Sequence, residues 1–169
     1  VRAGATDGDG STDKPLGSLV EALPMGNVAY VCAAPDALNE AVTVNDDKLI
    51  FGGLACADWK YTAEKTKLTA PENQVPLRIQ GNTSTVTFDD FEVTASNATT
   101  PGLSSIGIFI DAATVSLSRV DITAGNGAPG MPGADGGAQA AAAPGGNTGA
   151  AAGTVPPSGG PASTTNTCP

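Results

Sequence analysis

Histidine is absent from this 169-residue chain, so the side chain that most often binds zinc and transfers protons near neutral pH is missing. The three cysteines are Cys32, Cys56 and Cys168, and no two of them have the spacing of a CxxC motif. A zinc site built from Cys and His is therefore excluded, and a structural disulfide is the expected use of these thiols.

Positive charge is also scarce, with 8 Lys and Arg against 17 Asp and Glu and a net charge of -9. Such a chain repels phosphate backbones and anionic membrane surfaces, which argues against nucleic-acid binding. No apolar run approaches the ~20 residues that span a bilayer, and residues 1–5 lack the hydrophobic stretch of a signal peptide. We expect no membrane span, and an export signal that has already been removed.

The residues in abundance are Gly, with 22 copies, and Ala, Thr, Asn and Asp. This composition is typical of secreted bacterial repeat proteins rather than of cytosolic enzymes, so we expect a secreted or cell-surface protein. The composition changes near residue 127. Residues 1–127 are predicted to fold into repeated coils, and residues 128–169 to form a Gly/Ala/Pro-rich linker whose collagen-like run is too short for a triple helix.

An internal repeat organises the middle of the chain. Segments 85–95 and 114–124 match at every apolar position with a constant offset of 29 residues. Extended backwards, the same offset places Leu77 on Ile106. Like residues of successive copies are therefore expected to stack on one another.

Apolar residues alternate within each copy, as in Val86 and Phe88 and then in Phe91 and Val93. Alternation is typical of half-buried strands, and its change of phase at residues 89–90 indicates a corner. Two short strands that meet at a corner and recur without a helix between them describe one coil of a solenoid. The expected fold class is therefore all-β.

A short helix is predicted for residues 18–23, where Leu19 and Leu23 share one face and Pro24 ends the pattern. It precedes the first β-rich run, residues 28–31. Terminal units of solenoids need a cap over their apolar cross-section, and we expect this helix to serve as one.

Cys32 and Cys56 are the favoured disulfide pair. They lie 24 residues apart, about one coil, and neighbouring strands are ~4.8 Å apart, within disulfide reach. Such a bond implies an oxidising compartment. Cys168 is left over and is expected to be either free or bonded to a partner outside this chain.

The segments Asp9-Gly10-Ser11, Tyr30-Val31-Cys32 and Asn39-Glu40-Ala41 resemble the opening of pectin-lyase-like parallel β-helix proteins. Ile50-Phe51-Gly52-Gly53, together with Trp59, is similar to a subgroup of secreted surface proteins of gliding soil bacteria.

This resemblance extends over about residues 7–127. It implies a right-handed parallel β-helix with a short N-terminal capping helix, followed by the irregular tail. The superfamily contains polysaccharide lyases, hydrolases, adhesins and inert surface proteins, so the resemblance implies a fold and little chemistry.

Three carboxylates are candidate catalytic groups. Asp89 and Asp90 resemble the paired acids with which pectin-cleaving hydrolases protonate a leaving group and activate water, and Asp111 is a further candidate. The repeat offset, however, places Asp90 over Arg119, so an ion pair between coils is the simpler interpretation.

Asp7, Asp9 and Asp13 alternate with glycines like the start of a calcium loop, which makes Ca²⁺ the one candidate cofactor. Ser18 stands where such a loop carries its bidentate Glu. A turn that leads into the capping helix is therefore the favoured interpretation.

Two aromatic residues are candidates for stacking on a sugar ring. Trp59 and Tyr61 lie on a polar segment, and aromatic faces offer apolar area with a polar edge. The alternative is a loop that buries Trp59 against the coil.

These patterns favour a non-enzymatic protein with a structural, adhesive or matrix role. The first alternative is a polysaccharide lyase or hydrolase whose site lies mostly in coils beyond residue 169. The second is a carbohydrate-binding module, and both alternatives make a polysaccharide the expected partner.

The strands predicted within residues 114–124 are the last with a clear β pattern. A last parallel coil leaves unpaired backbone groups and an exposed apolar cross-section. We expect further coils of the same protein, or a second chain, to cover this edge.

Overall fold

A computed structural model describes residues 1–81 and 84–136 of the chain. These residues contain one α-helix, one 3-10 turn and eleven β-strands. In chain order they are α1 Leu19–Ala22, the 3-10 turn Leu23–Met25, β1 Val28–Cys32, β2 Leu38–Asn39, β3 Val42–Val44, β4 Lys48–Leu54, β5 Thr66–Thr69, β6 Leu77–Gln80, β7 Thr85–Asp89, β8 Phe91–Thr94, β9 Ile108–Asp111, β10 Thr114–Ser118 and β11 Asp121–Thr123.

The strands form three sheets in which every pairing is parallel. Sheet A has the order β1-β4-β7-β10, sheet B the order β11-β8-β5-β2, and sheet C the order β3-β6-β9. From β3 onward the chain visits sheets C, A and B in constant rotation. The predicted all-β class is consistent with this arrangement, which is compatible with a β-helix or another solenoid.

The core consists of the inward-facing residues of successive strands. Val86 and Phe88 of β7, and Phe91 and Val93 of β8, have no exposed surface. The rings of Phe88 and Phe91 stack across the corner between the two strands, with centroids 4.0 Å apart. The alternation read from the sequence therefore marks the residues that the sheets bury.

The 29-residue offset is confirmed for the last strand pair of sheet A, β7 with β10, and for the last strand pair of sheet B, β8 with β11. Phe88 pairs with Leu117, and Val93 pairs with Ile122. At the outermost strands, however, Leu117 is 38% and Ile122 48% exposed, because no described strand pairs with the far side of β10 or β11.

The same offset is wrong for sheet C. Leu77 pairs with Ile108 rather than with Ile106, which is a shift of two residues. The reason is the length of the corner: residues 81–84 join β6 to β7, whereas residues 112–113 join β9 to β10. Because the corner after β6 is two residues longer than the corner after β9, β6 and β9 are offset by 31 residues, whereas the strands that follow them, β7 and β10, are offset by 29.

The capping helix lies where the sequence predicts it. Leu19 and Leu23 are buried in the core, and Ser18 caps the helix by accepting a hydrogen bond from the Glu21 backbone N–H. The carboxylate of Glu40 accepts bonds from the Leu19 backbone N–H and the Ser18 hydroxyl, both at 2.6 Å. A carboxylate at this end of a helix satisfies backbone donors that have no partner within the helix.

The predicted disulfide between Cys32 and Cys56 is confirmed. Cys32 ends β1, and Cys56 follows β4, the neighbouring strand of sheet A, with the two Cα atoms 5.0 Å apart. A disulfide is compatible with an extracellular protein. No helix of the described segments has the length and apolarity of a membrane span.

Residues 1–132 form one compact unit. From Ala124 to Gly136 the chain has no regular secondary structure. The remainder of the predicted tail, with Cys168, lies outside the described residues.

Close approach between coils leaves no room for a side chain at Gly52. A Cβ atom there would lie 2.5 Å from the carbonyl oxygen of Asp90 and 2.8 Å from the Thr66 hydroxyl. We predict that Gly52→Ala lowers the free energy of unfolding by about 1–3 kcal/mol through overpacking. Gly26→Ala is the matched control, because Gly26 is extended, at φ -177, with open space around it. Urea denaturation of the two variants measures the difference, and equal stabilities would contradict this packing.

The disulfide generates a second prediction. On a Cys168→Ser background, Cys32→Ala/Cys56→Ala should lower the free energy of unfolding by about 3 kcal/mol, because the loop of the unfolded chain is no longer closed. Urea denaturation with and without dithiothreitol measures the effect. Reductant should bring the parent to the stability of the double variant and leave that variant unchanged. A parent that is insensitive to reductant would rule out the bond.

Candidate functional site

A loop of residues 55–65 leaves sheet A after β4 and returns to sheet B at β5. The disulfide fixes its start to β1. The backbone N–H of Trp59 donates to the carbonyl of Ala55 at 2.8 Å, and the backbone N–H of Ala55 donates to the carbonyl of Lys60 at 2.7 Å. Trp59 itself has the left-handed φ of 59, a conformation that a non-glycine residue adopts only when its surroundings hold it there. The loop is therefore built to hold the Trp59 side chain in one place.

Trp59 is half-buried, and its ring N–H donates to the carbonyl of Thr12 at 3.3 Å. The indole thus joins the loop to the N-terminal segment. Because the indole is not fully buried, stacking of Trp59 on a sugar ring stays a prediction.

Tyr61 lies apart from this contact. Its ring is 60% exposed, its hydroxyl lies 3.4 Å from Oδ1 of Asp90, and the Arg119 guanidinium lies 5.9 Å from the ring centroid. The two predicted sugar-stacking residues therefore belong to different surroundings.

A cavity of about 520 Å³ lies between the Trp59 loop, the N-terminal segment, the capping helix and β1. This volume is within the range of small-molecule sites. Its lining includes Asp9, Leu16, Met25, Tyr30, Leu54 and Trp59.

Tyr30 forms the wall of the cavity on sheet A. It faces outward from β1 and is 56% exposed, whereas its neighbours Ala29 and Val31 face the core. Its ring stacks on that of Phe51 in β4, with centroids 5.8 Å apart and planes at 24°. Tyr30 is not among the site residues that the sequence predicted, although its outward phase between two core residues is a readable signal.

The acidic N-terminal turn contributes Asp9 to the cavity. Oδ1 of Asp9 accepts a bond from the Ser11 N–H at 2.9 Å, and the Ser11 hydroxyl accepts one from the Lys14 N–H at 3.2 Å. Hydrogen bonds from Ser11 hold the pKa of Asp9 below its usual value. No three acidic or cysteine residues of the described segments converge as a metal site would need, and Ca²⁺ at Asp7, Asp9 and Asp13 stays a prediction.

The candidate catalytic carboxylates have different surroundings. Asp89 ends β7 on the outward face, in register with Phe51 and Ser118. Its Oδ1 is buried, with no hydrogen-bond partner among the described residues. Asp111 ends β9 in sheet C, in register with Gln80.

Asp90 occupies the corner between β7 and β8, with φ 62, and is 6% exposed. Arg119 holds its carboxylate at two points, with Nε 2.6 Å from Oδ1 and Nη2 2.7 Å from Oδ2. These bonds lower the pKa of Asp90 and raise the pKa of Arg119. Asp90 is therefore an ionised hydrogen-bond acceptor near neutral pH.

A second charged contact lies beside the first. Glu92 and Asp121 are neighbours in sheet B, so two like charges lie one strand spacing apart. Lys65, from the end of the Trp59 loop, approaches Asp121 to 2.6 Å. This lysine offsets the repulsion between the two carboxylates.

Comparison with protein-family models, with curated proteins and with solved structures found no match to this chain.

The pair of Asp90 and Arg119 makes stability depend on pH. Since the pKa of Asp90 is lowered in the folded state, its contribution is present above the unfolded pKa of about 3.9 and is lost as the pH falls through the lower folded value. We predict that Arg119→Ala lowers the urea midpoint at pH 7, because it leaves a buried carboxylate without its partner. The difference from the wild type should vanish once Asp90 is protonated. Urea titrations from pH 7 to 2 test this, and a difference that does not change with pH would contradict the ion pair.

Proposed function

We propose that this chain is a right-handed parallel β-helix of the pectin-lyase-like kind, from a secreted or cell-surface bacterial protein, with a non-enzymatic structural, adhesive or matrix role. The all-parallel sheets, the constant rotation among them and the disulfide support the fold and the compartment. The resemblance of the N-terminal segments to this superfamily supports its name.

The non-enzymatic part of this proposal rests on one observation, the binding of the Asp90 carboxylate by Arg119. A glycosidic general acid needs a raised pKa so that it can donate a proton near neutral pH. The pKa of Asp90 is lowered instead, and both of its oxygens bind Arg119. This carboxylate contributes a contact between successive coils and has no proton to donate.

A polysaccharide lyase or hydrolase is the second candidate. Asp89 favours it, because a buried carboxylate oxygen without a partner is costly and calls for an explanation. The remaining catalytic groups would then come from coils beyond residue 169, as would a cover for the exposed Leu117 and Ile122. A second chain over the same edge is the other proposed partner.

Polygalacturonate, alginate and neutral plant polysaccharides, each with and without Ca²⁺, test this function. We expect the wild type and Asp89→Asn to show equal and background-level release of reducing ends and unsaturated products. The amide keeps the size of the side chain and removes its charge, so it separates catalysis from packing. Turnover by the wild type that Asp89→Asn abolishes would establish the enzymatic alternative.

A further inference from the structure

We propose that the cavity between Trp59 and Tyr30 binds a neutral oligosaccharide. This inference names the ligand that an adhesive role requires and, in that respect, rests on the proposed function. Its observations are independent of the candidate catalytic carboxylates.

The aromatic walls suit the apolar face of a sugar ring. Trp59 and Tyr30 both line the cavity, and Leu16, Met25 and Leu54 extend the apolar surface. Tyr30 is 56% and Met25 65% exposed, so the cavity opens to solvent and the outer hydroxyls of a bound sugar remain hydrated. An aromatic face buries apolar area at a low cost in conformational entropy, because the ring has few rotatable bonds.

The site is preorganised before any ligand arrives. The indole is fixed by its bond to the carbonyl of Thr12 and by a loop whose start is disulfide-bonded. Tyr30 is fixed by stacking on Phe51. Side chains that are already ordered lose less entropy on binding, which favours affinity.

The polar groups of the cavity are those that hydroxyl groups recognise. The carboxylate of Asp9, and residues Ser11 and Thr12, lie along the same lining. A carboxylate accepts strong, charge-assisted bonds from sugar hydroxyls. Asp9 therefore orients the sugar through directional hydrogen bonds, whereas the aromatic rings supply apolar contact area.

Charge selects a neutral ligand over an acidic one. The described lining contains Asp9 and no Lys or Arg. Asp7 and Asp13 lie on the same turn, and the chain as a whole carries a net charge of -9. The amino group of Val1 also lines the cavity, but burial lowers its pKa to about 6, so it is mostly uncharged near neutral pH. Polyuronates and sulfated chains therefore meet net repulsion there.

The extent of the aromatic surface favours a chain over a small organic cation, which rings and a carboxylate also attract. Tyr30 stacks on Phe51, and Leu49, 40% exposed, lies two residues before Phe51 on the same outward face of β4. The apolar strip thus continues along sheet A, past the cavity. A linear ligand can use this length, whereas a compact cation cannot.

The chain has a single tryptophan, so its fluorescence reports on this cavity alone. The probes are hexamers of glucose, mannose, xylose and N-acetylglucosamine, with hexagalacturonate as the acidic counterpart and benzyltrimethylammonium as the cation. We expect a saturable change in emission, and a matching calorimetric heat, with at least one neutral hexamer and none with hexagalacturonate. Failure of every neutral hexamer at millimolar concentration, or binding of the cation alone, overturns the proposal.

Tyr30→Ala retains the tryptophan reporter and should weaken binding of that hexamer about tenfold, since it removes one stacking face. Phe109→Ala is the control: it removes an aromatic ring from β9 of sheet C, where the Arg78 guanidinium lies 4.6 Å from the ring centroid, outside the cavity lining, and should leave the affinity unchanged. Equal affinities for the two variants overturn the assignment, with circular dichroism confirming that both are folded.

The binding experiment and the turnover assay test different claims, so one claim can be contradicted while the other stands. Turnover with cavity binding intact overturns the non-enzymatic role and leaves the saccharide site in place. Absence of both turnover and binding overturns the saccharide site and leaves the structural role.

Discussion

Lateral hydrogen bonding between parallel strands, with every second side chain turned toward the same interior, is the constraint on which the rest of this protein depends. Each strand must bury its alternate residues against those of the repeat before it. Phe88 and Phe91 show the consequence most clearly, since both face inward although only two residues separate them. The chain achieves this by bending at Asp90, in the left-handed conformation that lets the alternation change phase.

The corners between strands are consequently the places where charged side chains of successive repeats contact each other. Asp90 and Arg119 occupy equivalent corners of two repeats, both in the left-handed conformation, and they bind each other. Asp121 binds Lys65 at 2.6 Å beside them. Charges that stack one strand spacing apart are stabilising when their signs are opposite, so the pairing of Asp90 with Arg119 follows from the stacking, whereas Lys65 reaches Asp121 from two strands away.

The candidate site is an insertion into this regular frame. Sheet A supplies a rigid wall in Tyr30, and the loop after β4 supplies a second wall in Trp59. The disulfide at Cys56 ties the start of the loop to β1 where the parallel pairing ends, and backbone bonds within the loop, such as that from the Ala55 N–H to the Lys60 carbonyl, hold the rest. A candidate site on a loop that a covalent bond stiffens has a fixed geometry.

Much of the scaffold could be predicted from the sequence alone. Four features depend on local periodicity and on spacing along the chain: the alternation in residues 85–95, the 29-residue offset of β7 with β10 and of β8 with β11, the capping helix, and the pairing of Cys32 with Cys56. Neighbouring residues encode such properties directly, because a strand exposes alternate faces whatever lies around it. The ion pair of Asp90 with Arg119 followed from the same offset.

Tertiary structure alone decided the remaining features, because they depend on how far each corner and loop carries the chain. The offset of β6 with β9 is 31 residues rather than 29, since one corner is two residues longer than the next. Trp59 reaches Thr12 across 47 residues of sequence, and Glu40 caps a helix that begins 21 residues earlier. The periodic pattern of apolar residues in the sequence does not indicate such contacts. They form because stacked coils bring distant segments together, and the distance between those segments is set by loop length in space rather than by residue pattern.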